Sequence, residues 1–215
     1  LAEAALVEVL ERSPDEQEPP CPHAGRCGGC SWQSLAYGRQ LAWKERIVHD
    51  ALERVGKVAC PPMLPILPSP SEWGYRNKME FAFGVSGDGG KALGLRERGS
   101  RNIVGVTGCL LQTPLTMRVL EAVRMLSNGA FHDLDGRFLV VREPNAGGCF
   151  VELIVGAGGS LEAGERFAEA LRAETPEVTG FALSERLAPS DVAYGERALY
   201  ADGRLEERIG DVRLQ

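Results

Sequence analysis

The chain has 215 residues, 44% of them hydrophobic and 25% charged, with a formal net charge of −6. That is enough apolar material for one large core or two small ones. It contains no run of about 18 apolar residues to span a bilayer, and the opening LAEAALVEVLERSPDEQEPP lacks the basic and apolar regions of a signal peptide. The acidity argues against a polyanion partner only until it is divided along the chain: residues 1–20 net about −5, residues 21–109 about +5 and residues 110–215 about −6, which leaves one basic segment in an acidic molecule.

In chain order, residues 2–10 (AEAALVEVL) read as a short strand or the end of an upstream domain, and the acidic SPDEQEPP as a linker. The chain opens mid-pattern without Met, as a fragment would. The stretch CPHAGRCGGC then places three thiols within ten residues. Over residues 40–56 a helix is expected, with Leu41, Lys44, Val48, Ala51, Leu52 and Val55 on one stripe. CPPMLPILPSP, with five prolines, admits neither a helix nor a central strand and reads as an extended connector.

YRNKMEFAF alternates with period two. Tyr75, Met79, Phe81 and Phe83 fall on one face with Asn77, and Arg76, Lys78 and Glu80 on the other. After the turn GVSGDGG, KALGLRER sets Leu93 and Leu95 against Arg96 and Arg98, so a hairpin with one apolar and one basic face is expected. A third strand around IVGV ends near Cys109. Thr113-Pro114 opens a helix that Asn128-Gly129 closes. RFLVVRE and CFVELIVG form a second hairpin, LEAGERFAEALRAE is an amphipathic helix stopped by Thr175-Pro176, and strands near 178–185, 196–201 and 204–214 end the chain. The sum is an α+β fold with a mostly antiparallel sheet and two packed helices.

With no export signal, six cysteines in a reducing cytoplasm point to metal or redox chemistry rather than disulfides. Cys27-x₂-Cys30 plus Cys21 and one distant thiol suits an iron–sulfur cubane, a zinc ion or a redox pair. Gly28 and Gly29 allow close approach with amides turned inward. Of the remaining thiols, Cys149 begins an apolar strand and reads as buried and inert. Cys60 heads the proline connector, and Cys109, between strand and helix, is the choice for the fourth position. His23 is a weaker candidate. The turn Val155-Gly156-Ala157-Gly158-Gly159-Ser160 follows a strand and opens a helix, but it lacks the third glycine spacing of a dinucleotide loop. With its strands expected to pair as hairpins, it reads as a helix cap.

Together, CPHAGRCGGCSWQ, YRNKMEFAFG and GLRERGSRNIVGVTGC resemble the iron–sulfur class of RNA uracil-5-methyltransferases, in the family order across residues 21–109 and more faintly beyond. The resemblance implies a 4Fe-4S cluster on Cys21, Cys27, Cys30 and Cys109. It implies an RNA partner, ribosomal ahead of transfer RNA, and S-adenosylmethionine as methyl donor of the full-length protein. Residues 1–20 would be the tail of a TRAM-type barrel and its linker, 21–39 the cluster loop, 40–71 an arm packing on a methyltransferase domain, and 72–215 the central α+β domain. No position matches the family's nucleophile, acidic base or cofactor loop, so this stretch alone is expected to be inactive. Arg76, Lys78, Arg96, Arg98 and Arg101 are the RNA-facing candidates. Rival classes are a small iron–sulfur electron-transfer or assembly protein and a zinc-stapled nucleic-acid module.

Overall fold

The computed structural model describes residues 7–59, 61–189 and 191–214. Residues 2–6 of the expected N-terminal strand and Cys60 lie outside them. The chain forms two units, one of residues 1–24 and 30–72, the other of residues 25–29 and 73–215.

The first unit is built on one helix, α1 (Tyr37–Asp50), continued by a π-helical turn over Ala51–Val55. α1 buries none of its residues, and Trp43, Ile47 and Val48 stay exposed. The apolar stripe expected from the sequence is therefore present but uncovered among the described residues. The acidic segment before the cysteines is no slack linker. Glu16 bridges antiparallel to Leu35, the Gln17 N–H donates to Ser34 O at 2.8 Å, and Arg39 pairs with Asp15 at 2.6 Å. The proline connector has few N–H groups to satisfy, and α1 takes two of them: Glu45 accepts from Ile66 at 3.3 Å and the Tyr37 hydroxyl from Ser69 at 2.8 Å.

The second unit is a seven-stranded sheet in the order β3-β2-β1-β4-β5-β6-β7. Its strands are β1 (Lys78–Val85), β2 (Lys91–Arg96), β3 (Ile103–Val104), β4 (Gly136–Arg142), β5 (Cys149–Val155), β6 (Val178–Glu185) and β7 (Arg197–Asp202), followed by a separate hairpin, β8 (Glu207–Ile209) and β9 (Val212–Leu214). Two helices, α2 (Pro114–Asn128) and α3 (Leu161–Glu174), pack on one face. Thr113 caps α2, accepting from the Thr116 N–H at 3.2 Å, and Ser160 caps α3 through Ala163 at 3.0 Å, as side-chain oxygens do at helix starts. Every adjacent pair of strands is antiparallel except β5 and β6, so the fold is α+β with a mostly antiparallel sheet.

The exception corrects one expectation. β5 and β6 are not hairpin partners but run parallel, with Val155 opposite Glu185. α3 crosses between them because parallel neighbours cannot be joined by a short turn.

The alternation of each strand divides its side chains between two cores. Met79, Phe81, Leu139, Val141, Val151, Leu153, Phe181 and Leu183 meet Val119, Leu120, Phe167 and Leu171 of the helices. Phe167 lies between Phe131 and Phe181 at ring-centroid distances of 4.8 and 5.5 Å. The other face is not wholly polar: Ala82, Ile103, Phe138, Val140 and Ile154 form a second buried cluster, with Ala92 and Ala193 against it. Tyr75, expected in the core row, lies before the start of β1 and is exposed.

β7 is tied to α3 by one polar knot. Arg172 grips Asp202 through both terminal nitrogens at 2.8 and 2.5 Å and donates to Val178 O, while Tyr200 and the Phe181 N–H also donate to Asp202. The Arg172 hydrogen bonds, with help from Tyr200 and the Phe181 N–H, pull the Asp202 carboxyl down to about 2. A depressed carboxylate stabilises the fold above its unfolded value, about 3.9, and that contribution disappears as pH falls through the folded value. Asp202→Asn should cost about 1–2 kcal/mol at neutral pH, discounted for partial exposure. Chemical denaturation against pH should show the mutant and parent curves converging as pH falls from 4 towards about 2.

Candidate functional site: the cysteine loop and the basic strand tip

The cysteine loop is attached to the sheet by its own backbone. Cys27 bridges antiparallel to Glu97, the Gly28 N–H donates to Arg96 O at 2.9 Å, and the Arg98 N–H donates to Arg26 O at 2.7 Å. Residues 26–28 thus run as a short extra strand along the outgoing end of β2. Glycine at 28 eases the close approach, since a Cβ there would lie 3.1 Å from Arg96 O. The next amide, Gly29 N–H, turns back onto Cys27 Sγ at 3.4 Å.

Glu97 organises the tip. Its carboxylate accepts from the Asn102 amide at 3.0 Å and from the Ser100 hydroxyl at 2.9 Å, and lies 3.7 Å from Arg26 Nε. The hydrogen bonds from Asn102 and Ser100, aided by the Arg26 charge, hold its carboxyl below the usual carboxylate range. A cavity of about 340 Å³ opens here, lined by Gly28, Gly29, Leu95, Arg96, Glu97, Arg98 and Gly99.

Of the five described cysteines, Cys21, Cys27, Cys30 and Cys109 are half-buried. Cys149 is fully buried in the main core, and that burial, reinforced by Glu143 and Glu177, pushes its thiol up to about 12. A thiol this reluctant to ionise suits a packing role. Cys27 and Cys109 belong to the sheet unit, Cys21 and Cys30 to the helical one. Cys109 lies in the turn between β3 and α2, packed against the main core, with its carbonyl accepting from Gln112. In donor chemistry the four half-buried thiols fit a thiolate-bound cluster. Among the described residues, however, no group of three or more His, Cys, Asp or Glu side chains is placed to hold a metal ion.

The five basic candidates do not form one cross-strand cluster. The β1–β2 ladder runs only from Ala82↔Gly94 to Val85↔Lys91, so Lys78 is opposite Arg142 of β4 instead of an arginine of β2. Lys78 pairs with Glu80 at 2.5 Å and Arg96 with Asp191 at 2.6 Å. Arg76 reaches Met79 Sδ at 3.9 Å, while the exposed Arg98 and Arg101 belong to the tip beyond β2. Arg142 and Asp191 escaped the sequence reading. Arg142 shares a face with Phe138 and Val140 in the alternation of RFLVVR, but only the non-local β1–β4 pairing sets it beside Lys78.

The glycine turn after β5 is filled by protein. A Cβ at Gly159 would lie 2.4 Å from Leu199 Cδ1, and one at Gly158, where φ is +82°, would lie 2.9 Å from Asp133 O. Gly156 N–H is taken by Asp135 O at 2.7 Å. Such crowding leaves the cap reading in place even though the flanking strands are parallel.

No protein-family model matches the chain. Among curated proteins, one described as an uncharacterized RNA methyltransferase from Nitratidesulfovibrio vulgaris is 45% identical, over 99% of this chain and 48% of its own length. A similarly described protein of Halalkalibacterium halodurans is 26% identical, over 97% of this chain and 48% of its own. One from Caldanaerobacter subterraneus is 51% identical over 46% of this chain. Among solved structures, Pyrococcus abyssi tRNA (uracil-54, C5)-methyltransferase in complex with S-adenosyl-L-homocysteine matches with a TM-score of 0.66 and 21% identity, over 96% of this chain and 46% of that one; the likeness is one of fold. This chain therefore spans about half the length of the curated relatives that it matches end to end, and it is similar in sequence to proteins described as RNA methyltransferases.

Proposed function

We propose that this chain is the cluster-bearing, RNA-recognising part of an S-adenosylmethionine-dependent RNA uracil-5-methyltransferase. The observation that carries the reading is the 45% identity, extending over 99% of the chain, to a protein described as an RNA methyltransferase. The fold neighbour, whose own substrate is a tRNA uracil, supports C5 of uracil as the target. The sequence favoured ribosomal RNA and the neighbour acts on tRNA, so methylation of both transcripts by the full-length protein is the direct comparison.

In this reading Cys21, Cys27, Cys30 and Cys109 hold a 4Fe-4S cluster. When bound, the cluster supplies thiolate cross-links between positions far apart in the chain, and methyl transfer to uracil requires no electron from it. The chain's own residues do the rest of the recognition. Residues 26–28 keep the cysteine loop against β2, and Arg76, Lys78, Arg96, Arg98 and Arg101 meet phosphates, which position an RNA without reading its sequence. The exposed Trp43, Ile47 and Val48 of α1 would pack on a methyltransferase domain carrying the nucleophile, the base and the methyl-donor site. A TRAM-type barrel would precede residue 21.

Protein purified without oxygen should be brown, with iron and acid-labile sulfide in near-equal amounts. Cys→Ser at 21, 27, 30 or 109 should abolish the colour, and Cys149→Ser should leave it. Stoichiometric zinc without sulfide would sink the cluster in favour of a zinc-stapled module. Alkylation mapped by mass spectrometry should modify those four thiols only after the cluster is removed, and Cys149 only after unfolding. Calorimetric titration of this stretch with S-adenosylmethionine should show no saturable binding; one saturable site would return the Gly156–Ser160 turn to consideration.

A further inference from the structure

β6 and β7 are antiparallel neighbours, which a tight turn could join. Of the residues that join them instead, 191–196 form a strap whose Ala193 lies on the sheet face opposite the helices. Arg186 secures its return, donating to Val192 O at 3.4 Å and Tyr194 O at 2.9 Å. Ala193 packs on the second apolar cluster, alongside Phe138, Val140 and Ile154. The far end reaches β2, where Asp191 Oδ1 meets Arg96 Nη2 at 2.6 Å.

The pair at its end is asymmetric. The Arg96 side chain is 40% exposed and that of Asp191 79%. A half-sunk guanidinium is thus capped by a carboxylate that stands almost wholly in water. Beside it opens the cavity of about 340 Å³ between Gly28-Gly29 and the strand tip. A guanidinium binds a carboxylate oxygen and a phosphate oxygen through the same planar set of N–H donors, so one can replace the other.

We propose that Arg96 is a phosphate subsite for the RNA backbone, that Asp191 occupies it in the RNA-free protein, and that the strap gives way when a phosphodiester arrives. The proposal rests on the RNA-binding reading above and adds to it a built-in competitor. Asp191 lowers affinity for any polyanion too weak to displace it, so the strap acts as a threshold on binding.

The test is a double-mutant cycle in the intact protein, read by fluorescence anisotropy of a short uridine-containing single-stranded RNA over a range of salt. Asp191→Asn should tighten binding roughly two- to fivefold, the scale of an exposed ion pair. Arg96→Ala should weaken it and flatten the salt slope by about 0.7, the contribution of one phosphate on single-stranded RNA. In the Arg96→Ala background, Asp191→Asn should gain nothing, because no arginine is left to release. An equal gain with and without Arg96 would reduce Asp191 to long-range charge and overturn the strap proposal, as would no gain at all. Wild-type protein that fails to bind the RNA overturns the RNA reading itself. Inorganic phosphate should compete no better than chloride of equal ionic strength; stronger competition assigns the subsite to a free anion and overturns the RNA form of the proposal. Unchanged thermal unfolding of Asp191→Asn separates these effects from misfolding.

Discussion

Two backbone hydrogen bonds, Gly28 N–H to Arg96 O and Arg98 N–H to Arg26 O, fix where the cysteine loop lies on the sheet unit. The loop has few large apolar side chains with which to hold itself, so a strand-like seam takes the place of a core. The seam favours a residue without Cβ at position 28 and needs an ordered tip to receive it. Glu97 supplies the second condition by gathering Ser100, Asn102 and Arg26 around one carboxylate. The same seam sets Gly28 and Gly29 beside Arg96 and Arg98, so the wall of the cavity and the basic side chains come from one piece of local pairing.

The sheet supports that seam because it is buried on both faces near its middle. β4 shows why: in Phe138-Leu139-Val140-Val141, alternate residues enter different cores, Leu139 and Val141 the helix side, Phe138 and Val140 the other. A strand with two apolar faces needs cover on both. The helices cover one, and the strap, through Ala193, contributes to the other. Length that is wasteful for a hairpin turn therefore has a packing reason at its middle and an electrostatic contact at its end.

Local signals were legible in the sequence. Thr113-Pro114 and Ser160 mark helix starts because short polar side chains satisfy first-turn N–H groups, and both do so here. The inertness of Cys149 follows from its place at the head of an apolar strand. The non-local features were hidden. Alternation in YRNKMEFAF states which residues share a face, not which strand lies beside them, so the Lys78–Arg142 register could not be read. The parallel β5–β6 pair was hidden as well, since a crossover helix and a helix between hairpins have the same local pattern. Ala82 and Ile103 gave no sign of a second core because small or isolated apolar residues on a polar face are ordinary.

The charge division along the sequence has a physical counterpart in how the cations are held. Several cations of the basic segment are held by acids: Lys78 by Glu80, Arg96 by Asp191 and Arg26 by Glu97. Two of these acids belong to the same basic segment as their partners, whereas Asp191 comes from the acidic remainder of the chain, 95 residues from Arg96. A net charge of −6 gives no long-range attraction to a polyanion. A phosphate that binds at Lys78, Arg96 or Arg26 must therefore do so at short range, by replacing an intramolecular acid. Replacement is hard for Glu97, whose carboxylate is committed to Ser100 and Asn102 as well as Arg26, and for Glu80, which sits two residues from Lys78 on the same strand. Asp191 holds Arg96 from a strap and faces water, so it is the acid that exchange would displace first.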